Sequence, residues 1–554
     1  METERVASTY TLAVSNADAA LVADAPWTRV PSIVADIEKL QEDFTNSSLN
    51  VAAVLCDEHP AECVAFTLVD GNTEAVPLTF GELAYASRRL AASLSARGIG
   101  AGDRVAVLLS KRLELPVAML AIWRLGAVYV PLFTAFAGPA VEMRVRDARA
   151  KLIITEPAQR AKTEGLDIDV LEAGEEFDSL VIGPSVFEPA VSVGGDGPII
   201  QLYTSGTTGI PKAVVVPARA IGAFISYMRY GLDVRDDDVL WNAADPGWAY
   251  GLFFGVVGPL AIGRPNVLLR AGFSAELTER VIRRIGVTNF AAAPTVYRSL
   301  KANGVRLDLP LRRASSAGEP LTPDISSWAP EALGCEVRDH FGQTEQGMVI
   351  CNSWHPLLQT EVRPGSMGQG LPGYVAGTVG PRIALSVDRS PLMWFTGYLN
   401  APEKNRERFT GDGAWYFTGD IGRQEDGRFY FASRDDDVIL AAGYRIGPFD
   451  IESILTQHPD VVEAVVVGRP DTIRGEIVEA FVVLRAGRQG TNQLATALQQ
   501  LVREQYGAHA YPRRVHFIEN LPKTPSGKVQ RFILRSPEFD LGTSSISTVG
   551  GGGR

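Results

Sequence analysis

The chain has 554 residues, of which 46% are hydrophobic and 21% are charged, and these proportions are typical of a folded, soluble globular protein. That length exceeds what one hydrophobic core supports, so we expect two or three domains. The 53 basic and 64 acidic residues give a net charge of −11, which argues against nucleic acid or an anionic membrane surface as the main partner and requires local cations wherever an anion binds.

The cysteines, the N-terminus and the apolar runs indicate a reducing, cytoplasmic location. Cys56, Cys63, Cys335 and Cys351 have neither C-x-x-C spacing nor an adjacent histidine pair, so we expect free thiols without a zinc site. The N-terminus lacks the basic and apolar blocks of a signal peptide. The longest apolar run, residues 250–263, is interrupted by Gly and Pro and is shorter than the roughly 20 residues that a membrane span requires.

The first elements predict a parallel α/β unit. Thr79 and Glu82 form a capping box at the start of a helix. A strand at residues 105–109, a helix around 115–125 and a strand at 127–132 follow. This order predicts a right-handed crossover between parallel strands.

A polar loop at residues 203–212 lies between two apolar runs, 199–202 and 213–216, which we interpret as strands. Its glycines allow close approach to an anion, and its hydroxyls and ammonium can bind phosphate oxygens. The loop lacks the Walker spacing and leads into a strand, which disfavours a P-loop ATPase. The residues concerned are Ser205, Gly206, Thr207, Thr208, Gly209 and Lys212.

Near residue 430 the pattern changes, so we assign residues 1–433 to a large domain, 435–540 to a small one and the Gly/Ser-rich residues 541–554 to a disordered tail. The small domain is predicted to contain helices at 449–456 and 492–506 and strands at 461–467 and 477–484.

Six further polar motifs follow the loop in order. They are Asp245-Pro-Gly-Trp248, Ser316-Ala-Gly-Glu-Pro320, Asp339-His-Phe-Gly-Gln-Thr-Glu345, Tyr416-Phe-Thr-Gly-Asp420, Arg434-Asp-Asp-Asp437 with Gly443-Tyr-Arg445, and Pro522-Lys-Thr-Pro-Ser-Gly-Lys528. The ordered set resembles the adenylate-forming family, which contains acyl-CoA synthetases, luciferases and the adenylation domains of peptide synthetases. The resemblance extends from about residue 45 to residue 537. It implies an α/β fold with a large N-terminal domain of doubly wound sheets plus a small barrel, followed by a small, mobile α+β C-terminal domain.

The chemistry of this family accounts for the motifs. A carboxylate is a poor electrophile, and transfer of AMP onto it supplies a leaving group while pyrophosphate departs. Such a site must neutralise a triphosphate, a carboxylate and an in-line transition state, which requires cations, a metal and fixed donors. The resemblance thus implies ATP, CoA and Mg²⁺.

For the phosphates, the resemblance implies that residues 204–212, with Thr204 among the catalytic residues, contact the β- and γ-phosphates. Glu345 would bind Mg²⁺, and Lys528 would contact the attacking carboxylate and the α-phosphate. Arg445 would serve the phosphates as well. The alternatives are a surface acid that caps a helix at Glu345 and an exposed turn lysine at 528.

For the nucleoside, the resemblance implies that Asp420 accepts hydrogen bonds from the ribose and that Arg434 approaches ribose and phosphate. A turn acid and an ordinary salt-bridge partner are the alternatives. The adenine pocket and its surroundings would comprise Gly318, Glu319, Pro320, Asp339, His340, Phe341, Gly342, Gln343 and Thr344. His340 is left out of the mechanism, because a histidine beside an aromatic residue is more often packed structure.

For thioester formation, the resemblance implies a rotation of the small domain about a hinge at Asp436. Gly443 and Tyr444 would line the tunnel for the pantetheine arm of CoA. A solvated turn is the alternative for the acidic connector.

The acyl pocket is interpreted from Gly342, where acetate-specific relatives place a tryptophan. Loss of that ring is expected to make room for several methylenes, each worth about 0.8 kcal/mol when buried. Trp248 would line the same pocket, with ordinary core packing as the alternative. Residues 444–450 resemble the medium-chain and aromatic branch.

We therefore expect an ATP-dependent carboxylic acid–CoA ligase that forms acyl-CoA, AMP and pyrophosphate through an acyl-adenylate, acting on acids larger than acetate. The alternatives are adenylation for a carrier-protein thiol, luciferase-type oxidation and a non-catalytic ligand-binding protein. Expected partners are the acid, ATP and CoA, with no nucleic acid and no membrane span, and formation of a homo-oligomer is left open.

Overall fold

The computed structural model describes residues 20–22, 25–182, 190–204, 211–435, 437–441, 444–471, 475–507, 510–524, 528–536 and 539. The predicted tail at residues 541–554 lies outside these ranges.

The strands of the described residues alternate with helices through the first 330 residues and then follow one another closely. They are β1 (Ala20–Val22), β2 (Val64–Asp70), β3 (Ala75–Thr79), β4 (Arg104–Leu108), β5 (Val128–Pro131), β6 (Leu152–Thr155), β7 (Asp169–Glu172), β8 (Pro198–Thr204), β9 (Lys212–Pro217), β10 (Leu240–Asn242), β11 (Asn266–Arg270), β12 (Asn289–Ala292), β13 (Arg313–Ala317), β14 (Val337–Gln343), β15 (Gly347–Cys351), β16 (Ser366–Gly370), β17 (Ala376–Val379), β18 (Arg382–Ser386), β19 (Trp415–Glu425), β20 (Arg428–Arg434), β21 (Ile439–Ala441), β22 (Tyr444–Ile446), β23 (Val461–Asp471), β24 (Gly475–Leu484) and β25 (Arg514–Phe517).

The α-helices of the described residues cover the faces of these sheets. They are α1 (Pro31–Thr45), α2 (Phe80–Ala96), α3 (Glu114–Arg124), α4 (Gly138–Ala148), α5 (Glu175–Ile182), α6 (Ala220–Ser226), α7 (Ala249–Leu252), α8 (Gly258–Ile262), α9 (Ala275–Ile285), α10 (Pro294–Ala302), α11 (Pro323–Leu333), α12 (Pro402–Arg408), α13 (Pro448–Leu455), α14 (Asn492–Gln505) and α15 (Arg531–Arg535). Among them, none combines the length and the apolar content that a membrane crossing needs.

The large N-terminal part is built on two sheets. One has the strand order β7-β6-β4-β5-β8-β9, and its strands are parallel except for the β8–β9 hairpin. The other has a parallel centre with the strand order β14-β13-β12-β10-β11-β2. Beyond β14 it continues through antiparallel strands in the order β15-β16-β20-β19-β18-β17-β1, and β1 forms the far edge. The mixed α/β class is confirmed.

The small C-terminal part has one sheet, β22-β21-β24-β23, with β25 added parallel to β24. Helices α13 and α14 cover it and form a separate apolar core. That core includes Ile451, Leu455, Val466, Val482, Leu498 and Val515, all of them buried. A core of its own agrees with the α+β unit predicted from the sequence, and the domain boundaries themselves stay predictions.

The predicted crossover unit is present as β4, α3 and β5, with β4 and β5 parallel. Helix α2 begins where the capping box predicts: the Glu82 amide donates to Thr79 Oγ1, and the Thr79 amide donates to the Glu82 carboxylate. Satisfying these two donors fixes the first turn of the helix.

A buried ion pair joins this unit to the helical turn before β2. Arg124, at the end of α3, donates to both oxygens of Asp57 at 2.7 Å, and its Nε donates to Ser87 Oγ at 2.9 Å. Only 1% of the Arg124 side chain is exposed. The guanidinium is thus satisfied only while Asp57 is present and ionised.

We expect Asp57→Ala to lower the free energy of unfolding by about 3–5 kcal/mol, because it leaves a buried cation unpaired. Burial alone would raise the pKa of Asp57, but Arg124 and Arg88 outweigh burial and lower it below its ordinary value of 3.8. The stabilisation is therefore present above that ordinary value and is lost as the pH falls through the lower pKa of the folded state. Urea denaturation at several pH values measures both effects. Asp43→Ala, which removes an exposed partner of Lys39, is the control. Equal losses for the two variants would contradict the prediction.

Candidate active site

A cleft of about 780 Å³ lies between the large and small parts of the chain. The ends of β13 and β14 open into it, as expected for a parallel sheet, which binds ligands at the carboxyl ends of its strands. Nine basic and seven acidic residues are among those that line the cleft, whereas acids outnumber bases in the chain as a whole. The basic ones are Arg144, Lys212, Arg298, Arg408, Arg434, Lys523, Lys528, Arg531 and Arg535.

The two ends of the polar loop are held by the β8–β9 hairpin. Thr204 and Lys212 are register partners and both line the cleft. Lys212 Nζ lies 5.1 Å from the centre of the Tyr398 ring. Desolvation lowers the pKa of Lys212, and the neighbouring cations Arg408 and Lys404 lower it further. Ser205, Gly206, Thr207, Thr208 and Gly209 lie outside the described residues.

Glu345 lies in the turn between β14 and β15 and is buried at the cleft wall. The Tyr398 hydroxyl donates to its Oε1 at 2.6 Å. Burial, followed by the charge of Glu345, raises the pKa of Tyr398, so this hydroxyl remains a donor. The carboxylate is therefore neither an exposed surface acid nor a helix cap.

The buried Asp420 carboxylate is held from two sides. Its register partner Arg434 donates to Oδ1 at 2.8 Å. Gln343 Nε2 donates to Oδ2 at 2.7 Å and to the Thr418 carbonyl at 2.7 Å. Burial raises the pKa of Asp420, although Arg434 opposes the shift. Gln343 and Arg434 thus orient a carboxylate that is not an exposed turn acid.

The predicted adenine motifs follow neighbouring parallel strands. Gly318, at φ +102°, with Glu319 and Pro320 comes directly after β13, and Asp339 lies on β14. The Leu321 amide donates to Asp339 Oδ2 at 3.3 Å. Burial raises the pKa of Asp339 to about 8, so this carboxyl keeps its proton to a higher pH than an exposed aspartate does.

His340 lies on β14 and is one of the residues that line the cleft, but its ring takes part in a buried hydrogen-bond network. Nε2 lies 3.2 Å from the Asn352 carbonyl, which can only accept, so Nε2 carries the proton. Nδ1 then accepts from the Tyr227 hydroxyl at 2.7 Å, and Tyr227 accepts from Tyr250 at 3.1 Å. Burial lowers the pKa of His340 to about 3, so the ring is neutral. This is the packed histidine that the sequence favours.

Phe341, Gly342, Gln343 and Thr344 line the cleft at and after the register shift between β14 and β15. A Cβ at Gly342 would lie 2.3 Å from the Gly347 carbonyl oxygen and 2.7 Å from Met348 Cα. The space beside this glycine is therefore occupied by backbone. The expectation that the missing ring opens an acyl pocket stays a prediction.

Lys528 reaches the cleft from the small domain. The Thr524 amide donates to the Lys528 carbonyl at 2.7 Å, and the Lys528 amide donates to Thr524 Oγ1 at 3.1 Å. The residue as a whole is exposed, yet desolvation of its ammonium lowers the pKa, with Glu319 opposing this and Arg434 adding to it. The ammonium therefore lies among the charged groups of the large domain.

The other predicted residues stand apart from these contacts. Trp248 packs on Phe133 and Phe136, with ring centres 5.3 and 5.5 Å apart, and it is not among the residues that line the cleft. Asp436 and Gly443 lie outside the described residues. Tyr444 and Arg445 form the start of β22, and their side chains are not among those that the structure describes. The hinge, the tunnel and the role of Arg445 stay predictions.

Sequence reasoning gave no role to four side chains of the cleft region. Tyr416 donates to Gln343 Oε1 at 3.2 Å, and Tyr398 holds Glu345. Arg298 and Arg408 contribute cations from α10 and α12. Tyr416 begins one of the quoted motifs and could have been given a role. Tyr398 lies outside every motif, and the arginines resemble ordinary charged residues on helix surfaces.

Comparison with known proteins covers nearly the whole chain. The AMP-binding enzyme family matches residues 55–382, and the AMP-binding enzyme C-terminal domain matches residues 450–528. The acetyl-coenzyme A synthetase of Bacillus subtilis (strain 168) is 34% identical over 506 residues, which are 85% of this chain and 87% of that protein.

Two crystal structures are similar throughout. That of the Brucella canis acyl-CoA synthetase is 42% identical with a TM-score of 0.71 and covers 91% of this chain and 98% of its own. That of the anthranilate CoA ligase AuaEII, in complex with anthranoyl-AMP, is 26% identical with a TM-score of 0.79 and covers 88% of this chain and 97% of its own.

Proposed function

The chain belongs to the AMP-binding enzyme family, and on that premise we propose that it is an ATP-dependent carboxylic acid–CoA ligase that forms acyl-CoA, AMP and pyrophosphate through an acyl-adenylate. One observation carries this proposal. A single cleft brings Lys528 of the small domain together with Glu345, Asp420 and Arg434 of the large one. This combination would supply the cation, the metal ligand and the ribose acceptor that adenylation requires.

In the first half-reaction, Lys212 would hold the terminal phosphates and Lys528 would bridge the attacking carboxylate and the α-phosphate. An ammonium between these two anions offsets their repulsion and stabilises charge in the transition state. Asp420, already oriented by Gln343, would accept from the ribose hydroxyls, and Asp339 would face the edge of adenine. Because the Asp420 and Asp339 side chains are buried and already accept hydrogen bonds, they need little reorganisation when ATP binds.

Mg²⁺ fits the donors present. Glu345 offers a buried carboxylate at the cleft wall, fixed by Tyr398, and Mg²⁺ is commonly held by one carboxylate together with substrate phosphates. When bound, the ion would neutralise phosphate charge. The described residues contain no group of three His, Cys, Asp or Glu side chains that could hold a metal without substrate.

In the second half-reaction, Lys528 would withdraw and the thiol of CoA would attack the acyl carbon, with release of AMP. Gly443 and Tyr444 would line its path, and Asp436 would serve as the hinge. A lysine on a separate domain can leave the cleft without disturbing the nucleotide contacts of the large domain. We place this activity in the cytoplasm, where the four free cysteines would stay reduced.

For the acid, we propose substrates larger than acetate. The similarity to an anthranilate CoA ligase supports this, whereas the similarity to an acetyl-coenzyme A synthetase points to acetate. Size discrimination of this kind is worth only about 1–3 kcal/mol per methylene, so the preference is graded.

The test is pyrophosphate release with ATP and a panel of C2 to C12 and aromatic acids, each with and without CoA. We expect release with medium-chain or aromatic acids at higher kcat/KM than with acetate, and a thioester product only when CoA is present. Release without a thioester would indicate a carrier-protein acceptor. Absence of release with every acid would refute the ligase function, and the highest kcat/KM on acetate would refute the size preference.

A further inference from the structure

A chain of charges crosses the cleft beside the adenine motif. Arg298, on α10 of the large domain, donates to Glu319 Oε2 at 2.9 Å, and its Nε lies 3.7 Å from Oε1 of Glu463 on β23 of the small domain. On the far side, Lys523 Nζ donates to the same Glu463 oxygen at 2.7 Å. Glu463 is thus shared between a cation of each domain.

The members of this chain are largely shielded from water. The exposed fractions of the Arg298, Glu319 and Glu463 side chains are 16%, 17% and 17%. Charge pairs at this depth are screened less than surface pairs, which contribute little. The interdomain contact should therefore affect the relative orientation of the domains.

The contact is also one that can be released. Arg298 Nε is buried and has no hydrogen-bond partner among the described residues, so Glu463 attracts it by charge alone. If the domains separate, Arg298 keeps Glu319 and Glu463 keeps Lys523. Breaking the contact leaves no buried charge without a partner, which lowers the cost of opening.

Glu463 also acts on the segment that carries Lys528. Its partner Lys523 forms a β-bridge with Val529, and the neighbouring Thr524 bonds the backbone of Lys528 at both ends. The Glu463 carboxylate is therefore linked to the large domain through Arg298 and to the segment that carries Lys528 through Lys523.

We propose that Glu463 and Arg298 are positioning residues for adenylation, whose interdomain pair holds the small domain in the orientation that places Lys528 in the cleft. This inference rests on the proposed ligase function and adds residues outside its reacting groups. A contact made in only one orientation shifts the equilibrium between orientations by its differential free energy. Its loss should slow the half-reaction that uses this orientation and not the other.

The test is Glu463→Gln, which keeps the shape of the side chain and removes its charge. We expect the adenylation rate at saturating substrates, measured by ATP–pyrophosphate exchange, to fall about five- to thirtyfold. Thioester formation from supplied acyl-AMP and CoA should be unchanged or faster. Arg298→Gln should likewise slow adenylation and spare thioester formation. The double variant should be no slower in adenylation than the slower single variant, because both changes remove the same charge pair.

The matched control is Asp460→Asn, which removes a carboxylate paired with Arg488 within the small domain. It should leave both half-reactions unchanged. Equal loss of both half-reactions in Glu463→Gln, no loss in either, or additive effects in the double variant would overturn the inference while leaving the ligase function intact. If the unmodified protein adenylates no acid, both fall together.

Discussion

Lys528→Ala should slow adenylation by about 10²–10³-fold and leave thioester formation from supplied acyl-AMP close to the rate of the unmodified protein. The ammonium lies in the cleft with Glu319, Asp420 and Glu345, where an α-phosphate and a carboxylate would replace these carboxylates as its partners. Removing it takes away charge stabilisation that only the first transition state uses. ATP–pyrophosphate exchange and single-turnover thioester formation measure the two steps separately.

Lys39→Ala is the control for this variant, because Lys39 pairs with Asp43 on the exposed face of α1, distant in sequence from every cleft residue. It should change neither rate. Equal slowing of both half-reactions by Lys528→Ala would show that the lysine serves both orientations or stabilises the fold, and domain alternation would then lose its main support.

The pH dependence of the unmodified protein gives a second readout of the same group. Desolvation lowers the pKa of Lys528 from its ordinary value of 10.5, so the ammonium loses its proton at a lower pH than an exposed lysine would. Since kcat/KM reports the free enzyme, its value for adenylation should decline on the alkaline side before ordinary lysines titrate. Lys528→Ala should lose this limb of the profile.

Local patterns predicted the elements of the fold well where one signal dominated. The capping box predicted the start of α2, and short apolar runs predicted β4, β5, β8 and β9 within one or two residues. Strand β23 instead continues to Asp471, past Gly468 and Pro470, because the partner strand β24 pairs along its whole length. Pairing with a neighbour is a tertiary effect that no local pattern contains.

The site divides in the same way. The ordered motifs named Glu345, Asp420 and Lys528, and the structure places all three at one cleft. The groups that orient them were not predictable, because the contacts of Tyr398 with Glu345 and of Arg298 with Glu463 join residues more than 50 positions apart in sequence. Their positions depend on the packing of the sheets and domains.

Gly342→Ala should lower adenylation by about 10²-fold for every acid and should also reduce thermal stability. The new Cβ would meet the Gly347 carbonyl at 2.3 Å and Met348 Cα at 2.7 Å, and neither is a flexible side-chain end that can turn aside. The β14–β15 hairpin must shift, and Glu345 lies in its turn. A displaced Glu345 would impair the proposed phosphate site, which every acid would use.

A glycine whose role is only to enlarge the acyl pocket would respond differently. The small methyl group would then reduce kcat/KM for the longest acids, leave acetate unaffected and preserve the melting temperature. Gly272→Ala is the matched control, because a Cβ there meets nothing within 4 Å. Comparing pyrophosphate release on acetate and on a C8 acid for the two variants decides the point. A selective loss on the C8 acid would support the pocket interpretation, whereas a uniform loss would show that Gly342 is required by the close approach of two strands that position Glu345, the proposed metal ligand.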